Sequence, residues 1–228
     1  MIRMNNVYKT YSNGVKAING ISVNIKQGEF LYVVGPSGAG KSTFIKMMYR
    51  EEKPTTGSIN VNTISIESLR ERDVPHFRRQ IGVVFQNYRL LPKMTVYENV
   101  AFALEVIEEE PAVIEKRVME VLKLVKLEHK AQSFPTELSG GEQQRVAIAR
   151  AIVNKPKVVI ADEPTGNLDM NTSWDIMDIF KEINEQGATV IMATHNADIV
   201  NTIRHRVIAI EGGTIVRDEA EGGYGYED

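Results

Sequence analysis

The segment Gly35-Pro36-Ser37-Gly38-Ala39-Gly40-Lys41-Ser42 has the form G-x-x-x-x-G-K-[ST], the pattern of a loop that holds phosphate. Glycine accepts positive φ and leaves room for close approach, so the backbone N–H groups of such a turn can wrap an anion. Thr43 and the residues after it continue as a helix, whose N-terminus places about half a positive charge at the same point. Lys41 is expected to reach the β- and γ-phosphates, and the Ser42 hydroxyl offers the hard oxygen that Mg²⁺ prefers. Farther along, Val158-Val159-Ile160-Ala161 runs straight into Asp162-Glu163. Two carboxylates at the end of a buried strand are costly unless they hold a cation or move a proton. Alongside a phosphate loop, Asp162 is expected to hold Mg²⁺ through its shell and Glu163 to take a proton from water. Leu138-Ser139-Gly140-Gly141-Glu142 has capping-box spacing before the helical run Val146 to Val153. It reads either as an ordinary capped helix or as a second anion site.

Placing these groups requires an α/β scaffold. Phe30 to Val34 is a buried apolar run leading into the phosphate loop, and Ile21, Val23 and Ile25 alternate with polar residues before the turn at Gln27-Gly28. Ile81 to Phe85 is a compact apolar strand ending at Gln86, and Thr189 to Ala193 another that leads to Thr194-His195. The carboxyl ends of such strands are where ligands bind in open α/β sheets. A lone histidine is usually structural, but His195 sits at that edge. Pro54 to Gly57 reads as a turn before a short strand, Ser58 to Val61. Tyr8-Lys9-Thr10-Tyr11 reads as strand packing, and Leu69 to Arg79 as a solvated face broken at Pro75.

From Asn87 the pattern turns helical. Val96 to Leu104 is apolar, and Pro111 opens a helix with Ile114, Val118, Val121, Leu122 and Val125 on one stripe. The chain is therefore expected to be a single domain with a core lobe, residues 1–86 and 154–217, and a helical sub-lobe, 87–153. Between them, Tyr88, Leu90, Leu91, Pro92 and Met94 read either as part of the sub-lobe's own core or, since they fit neither helical nor strand periodicity, as a loop lining a groove. Asn171 to Gln186 is a further helix stopped by Gly187, with Trp174 as packing. Arg206 to Ile210 and Thr214 to Val216 read as a closing hairpin, and Asp218 to Asp228 as a mobile acidic tail.

With 228 residues and a net charge of −3, the chain can bury a full core and carries no global basic field, so nucleic acid is not the expected partner. The absence of cysteine excludes disulfides and thiolate metal sites. No apolar run approaches the length of a membrane span and the N-terminus lacks the apolar core of a signal peptide, so any membrane attachment is expected to come through another chain.

Taken in order across the chain, GPSGAGKS, Gln86, LSGGEQQR, VVIADE, Leu168-Asp169 and His195 resemble the nucleotide-binding domain of ABC ATPases, and LSGG is the decisive segment. That resemblance implies a P-loop core sheet of the ABC type with a helical sub-lobe and N-terminal antiparallel strands. It implies ATP and Mg²⁺ as cofactors, with Tyr11 stacked on adenine, residues Gly35, Pro36, Ser37, Gly38, Ala39, Gly40, Lys41, Ser42 and Thr43 around the phosphates, and Ser42, Gln86 and Asp162 at the metal. Glu163, His195 and Gln86 take the catalytic roles, with His195 on the γ-phosphate. Ser139, Gly140 and Gly141 bind the γ-phosphate of a nucleotide held by a second subunit, which makes a two-fold homodimer part of catalysis.

EPTGNLD at Glu163 to Asp169 and the stretch from Gln86 to Ile107 are similar to the bacterial cell-division branch. There the ATPase lies on the cytoplasmic face of the plasma membrane and drives an integral membrane partner to regulate cell-wall hydrolysis. Glu142 stands where many members have Gln, and Gly166-Asn167 where Ser-Ala is commoner. Both occur in the lipoprotein-release and macrolide-export branch, so a transporter for lipoproteins or small molecules stays open as the alternative. A soluble member acting in DNA repair or translation fits poorly, because such chains usually carry a coiled-coil insertion or a second cassette.

Overall fold

The computed structural model describes residues 1–225. It opens with two antiparallel strands, β1 (Ile2–Thr10) and β2 (Lys16–Ile25), followed by β3 (Phe30–Val34) and α1 (Lys41–Met48). After β4 (Thr56–Val61), β5 (Ile64–Ser65), the short helix α2 (Val74–Arg78) and β6 (Ile81–Val84), the chain becomes helical: α3 (Val96–Glu105), α4 (Pro111–Leu124) and α5 (Gly140–Ile152). It then returns through β7 (Val158–Asp162), α6 (Met170–Glu185), β8 (Thr189–Ala193), α7 (Ala197–Thr202), β9 (Arg206–Glu211) and β10 (Thr214–Glu219).

The strands form two sheets. One is antiparallel, in the order β2-β1-β4-β5; the other runs β10-β9-β3-β8-β7-β6. In the second, β9, β3, β8, β7 and β6 are mutually parallel and β10 closes the edge antiparallel to β9. Alternation along β3 sends Phe30, Tyr32 and Val34 into the apolar layer shared with α3, α4, α5 and α6. Leu31 and Val33 enter the opposite layer, packed with α1 and the antiparallel sheet. Both faces of the parallel sheet are thus covered, which is why β3 and β8 are buried at every residue.

The structure agrees with the sequence at some places and departs from it at others. Tyr8, Lys9 and Thr10 are strand as expected and close the nine-residue β1, while Tyr11 lies just past it; the first half of β1 shows no clean alternation because the register shifts at Asn5 and Asn6 and Asn6 takes a left-handed φ of 46°. Pro75 does not break a helix. It occupies the first turn of α2, where its missing N–H costs nothing. Nor is that face wholly solvated: Val74 and Phe77 are buried, and the Arg78 guanidinium donates to the carbonyls of Tyr49 and Arg50 at 3.0 and 3.1 Å, closing the end of α1. The expected tail divides as well. Asp218 and Glu219 belong to β10, Asp218 pairs with Arg206 at 2.7 Å, and Arg217 donates to the carbonyls of Gly223, Tyr224 and Gly225. The rest of the tail, 226–228, lies outside the described residues. Among the described residues no helix is long and apolar enough to cross a membrane.

Candidate nucleotide site

Strand β3 delivers the chain to the carboxyl edge of the parallel sheet, and the loop from Gly35 to Gly40 must turn there in little space. Gly35 has φ 141°, and a β-carbon on it would overlap the Ile210 carbonyl of β9. Gly40, at φ 109°, is the N-cap of α1 and is equally tight against the Ala17 carbonyl. Helix α1 has no side-chain cap and no acidic residue in its first turn, so its N-terminal dipole stays available to an anion. The Lys41 ammonium folds across the loop and donates to the carbonyls of Gly35 at 2.7 Å and Pro36 at 3.1 Å. Together these residues border a cavity of about 360 Å³ lined by Tyr11, Val15, Lys16, Ala17, Ser37 through Thr43, and Glu163.

Strand pairing accounts for the acid side. Asp162 ends β7 opposite Ala193 of β8, so the first residue past β7 and the second past β8 meet. Glu163 is that residue, held in a left-handed conformation at φ 50° by its N–H donating to the Ala193 carbonyl at 2.9 Å and its own carbonyl accepting from Gly166 at 3.1 Å. Its carboxylate Oε2 accepts the His195 backbone N–H at 3.2 Å and lies 2.8 Å from His195 Nδ1. Asp162 Oδ1 accepts from the Ser42 hydroxyl at 3.4 Å. Burial raises the pKa of Asp162, with the Ser42 hydrogen bond opposing and the Glu163 carboxylate adding to the rise. A carboxylate in that position gains from a cation brought to it.

Tyr11 closes one end of the cavity. Its hydroxyl shares a 3.1 Å hydrogen bond with Thr43 Oγ1, and the Lys9 ammonium lies 4.9 Å from its ring centroid. Lys9 is in turn fixed by Glu52 at 2.6 Å. Neither Lys9 nor the wall Val15-Lys16-Ala17 is singled out by sequence pattern. The only signal is their position on either side of the turn that carries Tyr11. Gln86 points at the segment after Glu163, its Nε2 standing 3.1 Å from where a β-carbon on Gly166 would be.

The candidates therefore divide. Tyr11, Ser37, Gly38, Ala39, Gly40, Lys41, Ser42, Thr43 and Glu163 share one cavity, with Gly35 and Pro36 behind Lys41, Asp162 joined through Ser42, and His195 joined through Glu163. Ser139, Gly140 and Gly141 do not line it. Ser139 caps α5 in a full capping box: its hydroxyl accepts from the Glu142 N–H at 3.3 Å, and Glu142 accepts from the Ser139 N–H at 2.8 Å. Ser139 is exposed and Gly141 buried, the latter against Thr172 of α6 with no room for a β-carbon.

A groove of about 580 Å³ lies between α1, α2, β6 and the helical segment, lined in part by Tyr49, Arg78, Phe85, Arg89, Arg150 and Asn154. None of the five loop residues expected to line it does so. Phe85 and Arg89 face it, whereas Tyr88, Leu90, Leu91, Pro92 and Met94 are not in its walls. Leu90 packs against the apolar layer.

Comparison with known proteins agrees with this geometry. Residues 18–166 match the family model described as ABC transporter. The chain is 68% identical over the full length of both proteins to the cell division ATP-binding protein FtsE of Bacillus subtilis (strain 168). It is 44% identical, with all of both chains covered, to the FtsE protein of Escherichia coli (strain K12). Among solved structures, an ATP-binding cassette captured as a dimer in a post-hydrolysis state with ADP and Pi superposes with a TM-score of 0.89 at 38% identity, covering 98% of this chain and 100% of that one. Matches spanning both the phosphate loop and the acidic strand end establish that the chain belongs to the ABC transporter family, as one of its ATP-binding cassettes.

Proposed function

We propose that this chain is the ATP-binding and ATP-hydrolysing subunit of a bacterial cell-division complex, acting as a homodimer that drives an integral membrane protein of FtsX type. The observation that carries hydrolysis is that Glu163, clamped by His195, lines the same cavity as the phosphate loop. In this reading Tyr11 stacks on the adenine, the amides of 35–40 and the start of α1 surround the phosphates, and Lys41 exchanges its two carbonyl acceptors for phosphate oxygens. Glu163 takes the proton from the attacking water; the ring and N–H of His195 hold its Oε2, leaving Oε1 for that task. His195 is the γ-phosphate contact.

Ser42 and Asp162 fit a small hard cation: both offer oxygen, and burial makes the Asp162 charge seek a partner. Ser42 and Asp162, with Gln86 brought in from Gly166, would hold Mg²⁺, which when bound would neutralise phosphate charge. Among the described residues no cluster of three or more acidic or histidine side chains forms a metal cage. One carboxylate plus phosphate oxygens is the usual Mg²⁺ arrangement.

Ser139–Gly141 stand outside the cavity, so a second copy brings them to the nucleotide, in line with the dimeric form of the solved cassette. Residues 87–153 act as the helical sub-lobe of a single domain whose core lobe is 1–86 and 154–217. The groove at their boundary takes a short cytoplasmic helix of the membrane partner by helix-in-groove docking, which sets the chain at the cytoplasmic face of the plasma membrane. Motion relayed this way regulates cell-wall hydrolysis.

The test is Glu163→Gln. The variant is expected to bind ATP and to lose hydrolysis by about 10²–10⁴-fold, or roughly 3–5 kcal/mol of barrier. Light scattering should find it dimeric with ATP and Mg²⁺ and monomeric with ADP. Hydrolysis at the parent rate would reassign the base, and a monomer in ATP would remove the shared site.

A further inference from the structure

We infer that Tyr88 is a positioning residue that ties the groove to the N-terminal turn of α5, so that a load on the groove sets how Ser139–Gly141 are presented to a neighbouring subunit. The inference rests on the shared-site reading above. Tyr88 and Arg89 are consecutive non-glycine residues in the left-handed region, with φ of 57° and 50°, a conformation that persists only where the surroundings enforce it.

Arg150 is the enforcer. From α5 it donates Nη2 to the Tyr88 carbonyl and Nη1 to the Arg89 carbonyl, each at 2.8 Å. On the far side of the loop, Asn99 of α3 accepts the Leu91 N–H at 2.8 Å and returns a hydrogen bond to the Leu91 carbonyl at 3.1 Å. The Arg89 guanidinium lies over the Phe85 ring, 3.9 Å from its centroid. Arg89 and Arg150 both line the groove, so an occupant there presses on the groups that fix the Tyr88 backbone.

The side chain carries that position to the other end of the same helix. The phenol oxygen stands 3.0 Å from where a β-carbon on Gly140 would be, and Leu168 Cδ2 stands 3.7 Å from the same point. Gly140 and Arg150 are separated by about 15 Å along α5. Tyr88 is thus held by its backbone from one end of α5 and rests its hydroxyl on the other. It belongs to neither apolar cluster, so its ring is not core packing. The segments after Gln86 and after Glu163 meet over Gly140, which opens α5 and lies in the signature segment Leu138–Gly141.

The experiment uses the full-length chain carrying Glu163→Gln, with Tyr88→Ala or Tyr88→Phe added. Three quantities are read: thermal midpoint, affinity for a fluorescent ATP analogue at protein concentrations too low for dimers, and the dimer dissociation constant in Mg-ATP. Tyr88→Ala is expected to leave the first two unchanged and to weaken the dimer about tenfold. Tyr88→Phe, which keeps the ring and loses the seated oxygen, is expected to weaken it about threefold. A Tyr88→Ala chain that unfolds or loses monomer ATP affinity, or a Tyr88→Phe chain that dimerises as the parent does, overturns the assignment. A parent that stays monomeric in ATP overturns the shared site itself and this inference with it, so the two failures are told apart.

Discussion

The N-termini of α1 and α5 are built from the same parts and do different work. Each is entered through glycines, and each offers unpaired N–H groups and a dipole to an anion. At α1 those groups face a cavity closed by the same chain, and the position carries no side-chain cap. At α5 the position carries a completed capping box and lies outside that cavity. In the proposed function the uncapped end is complete once its ligand arrives, whereas the self-capped end serves a nucleotide carried by a second copy. The difference lies in what stands opposite each helix rather than in the helix.

Substitutions at the two ends separate these roles. The largest effect is expected at α1. Lys41→Ala removes charge-assisted hydrogen bonds to phosphate and should cost about 3 kcal/mol or more of ATP affinity in the isolated subunit, measurable by nucleotide titration under monomeric conditions. An unchanged affinity would erase the contrast. At α5, Ser139→Ala should leave that monomer affinity intact while lowering turnover about tenfold at protein concentrations that allow pairing. The lost cap costs about 1 kcal/mol of stability as well. If monomer affinity falls with Ser139→Ala, the two helix ends belong to one site.

The smallest effect is in pH. The Ser139 N–H donates to the Glu142 carboxylate and holds its pKa below the ordinary glutamate value. A lowered folded-state pKa stabilises above the unfolded value and is lost as pH falls through the folded one. Between neutral pH and about pH 3, Glu142→Gln should therefore lose less thermal stability than the parent, by about 1 °C given its exposure. An equal loss in both proteins would show that the box contributes nothing by charge.

Legibility in the sequence followed the range of the interaction. The phosphate loop, the apolar strand ending in Asp162-Glu163 and the Ser139/Glu142 box are local chemistry, and each was readable because a few adjacent residues determine it. The Glu163–His195 contact needs β7 and β8 to lie side by side, and neighbouring residues carry no sign of that register. The irregularity at Asn5 and Asn6 interrupts the alternation of β1, so only its end at Tyr8 to Thr10 reads as strand. Pro75 is ambiguous in sequence because the same ring ends a helix from within and begins one from its first turn. Asn99 and Arg150 read as ordinary helix residues. Their function as clamps exists only once the loop carrying Tyr88 lies against them. In the hairpin region, Arg217 gathers carbonyls from a stretch that its acidic composition marks only as solvated.

Helix α6 has a further use, an optical one. Its residue Thr172 is the wall that leaves Gly141 no room for a side chain, so α5 and α6 touch where the signature segment begins. Trp174, the sole tryptophan of the chain, follows on α6 and rests half-buried against the apolar layer. Indole emission from the unmodified protein thus arises from one known place beside that contact. The molecule carries its own fluorophore on the helix that the signature segment leans against.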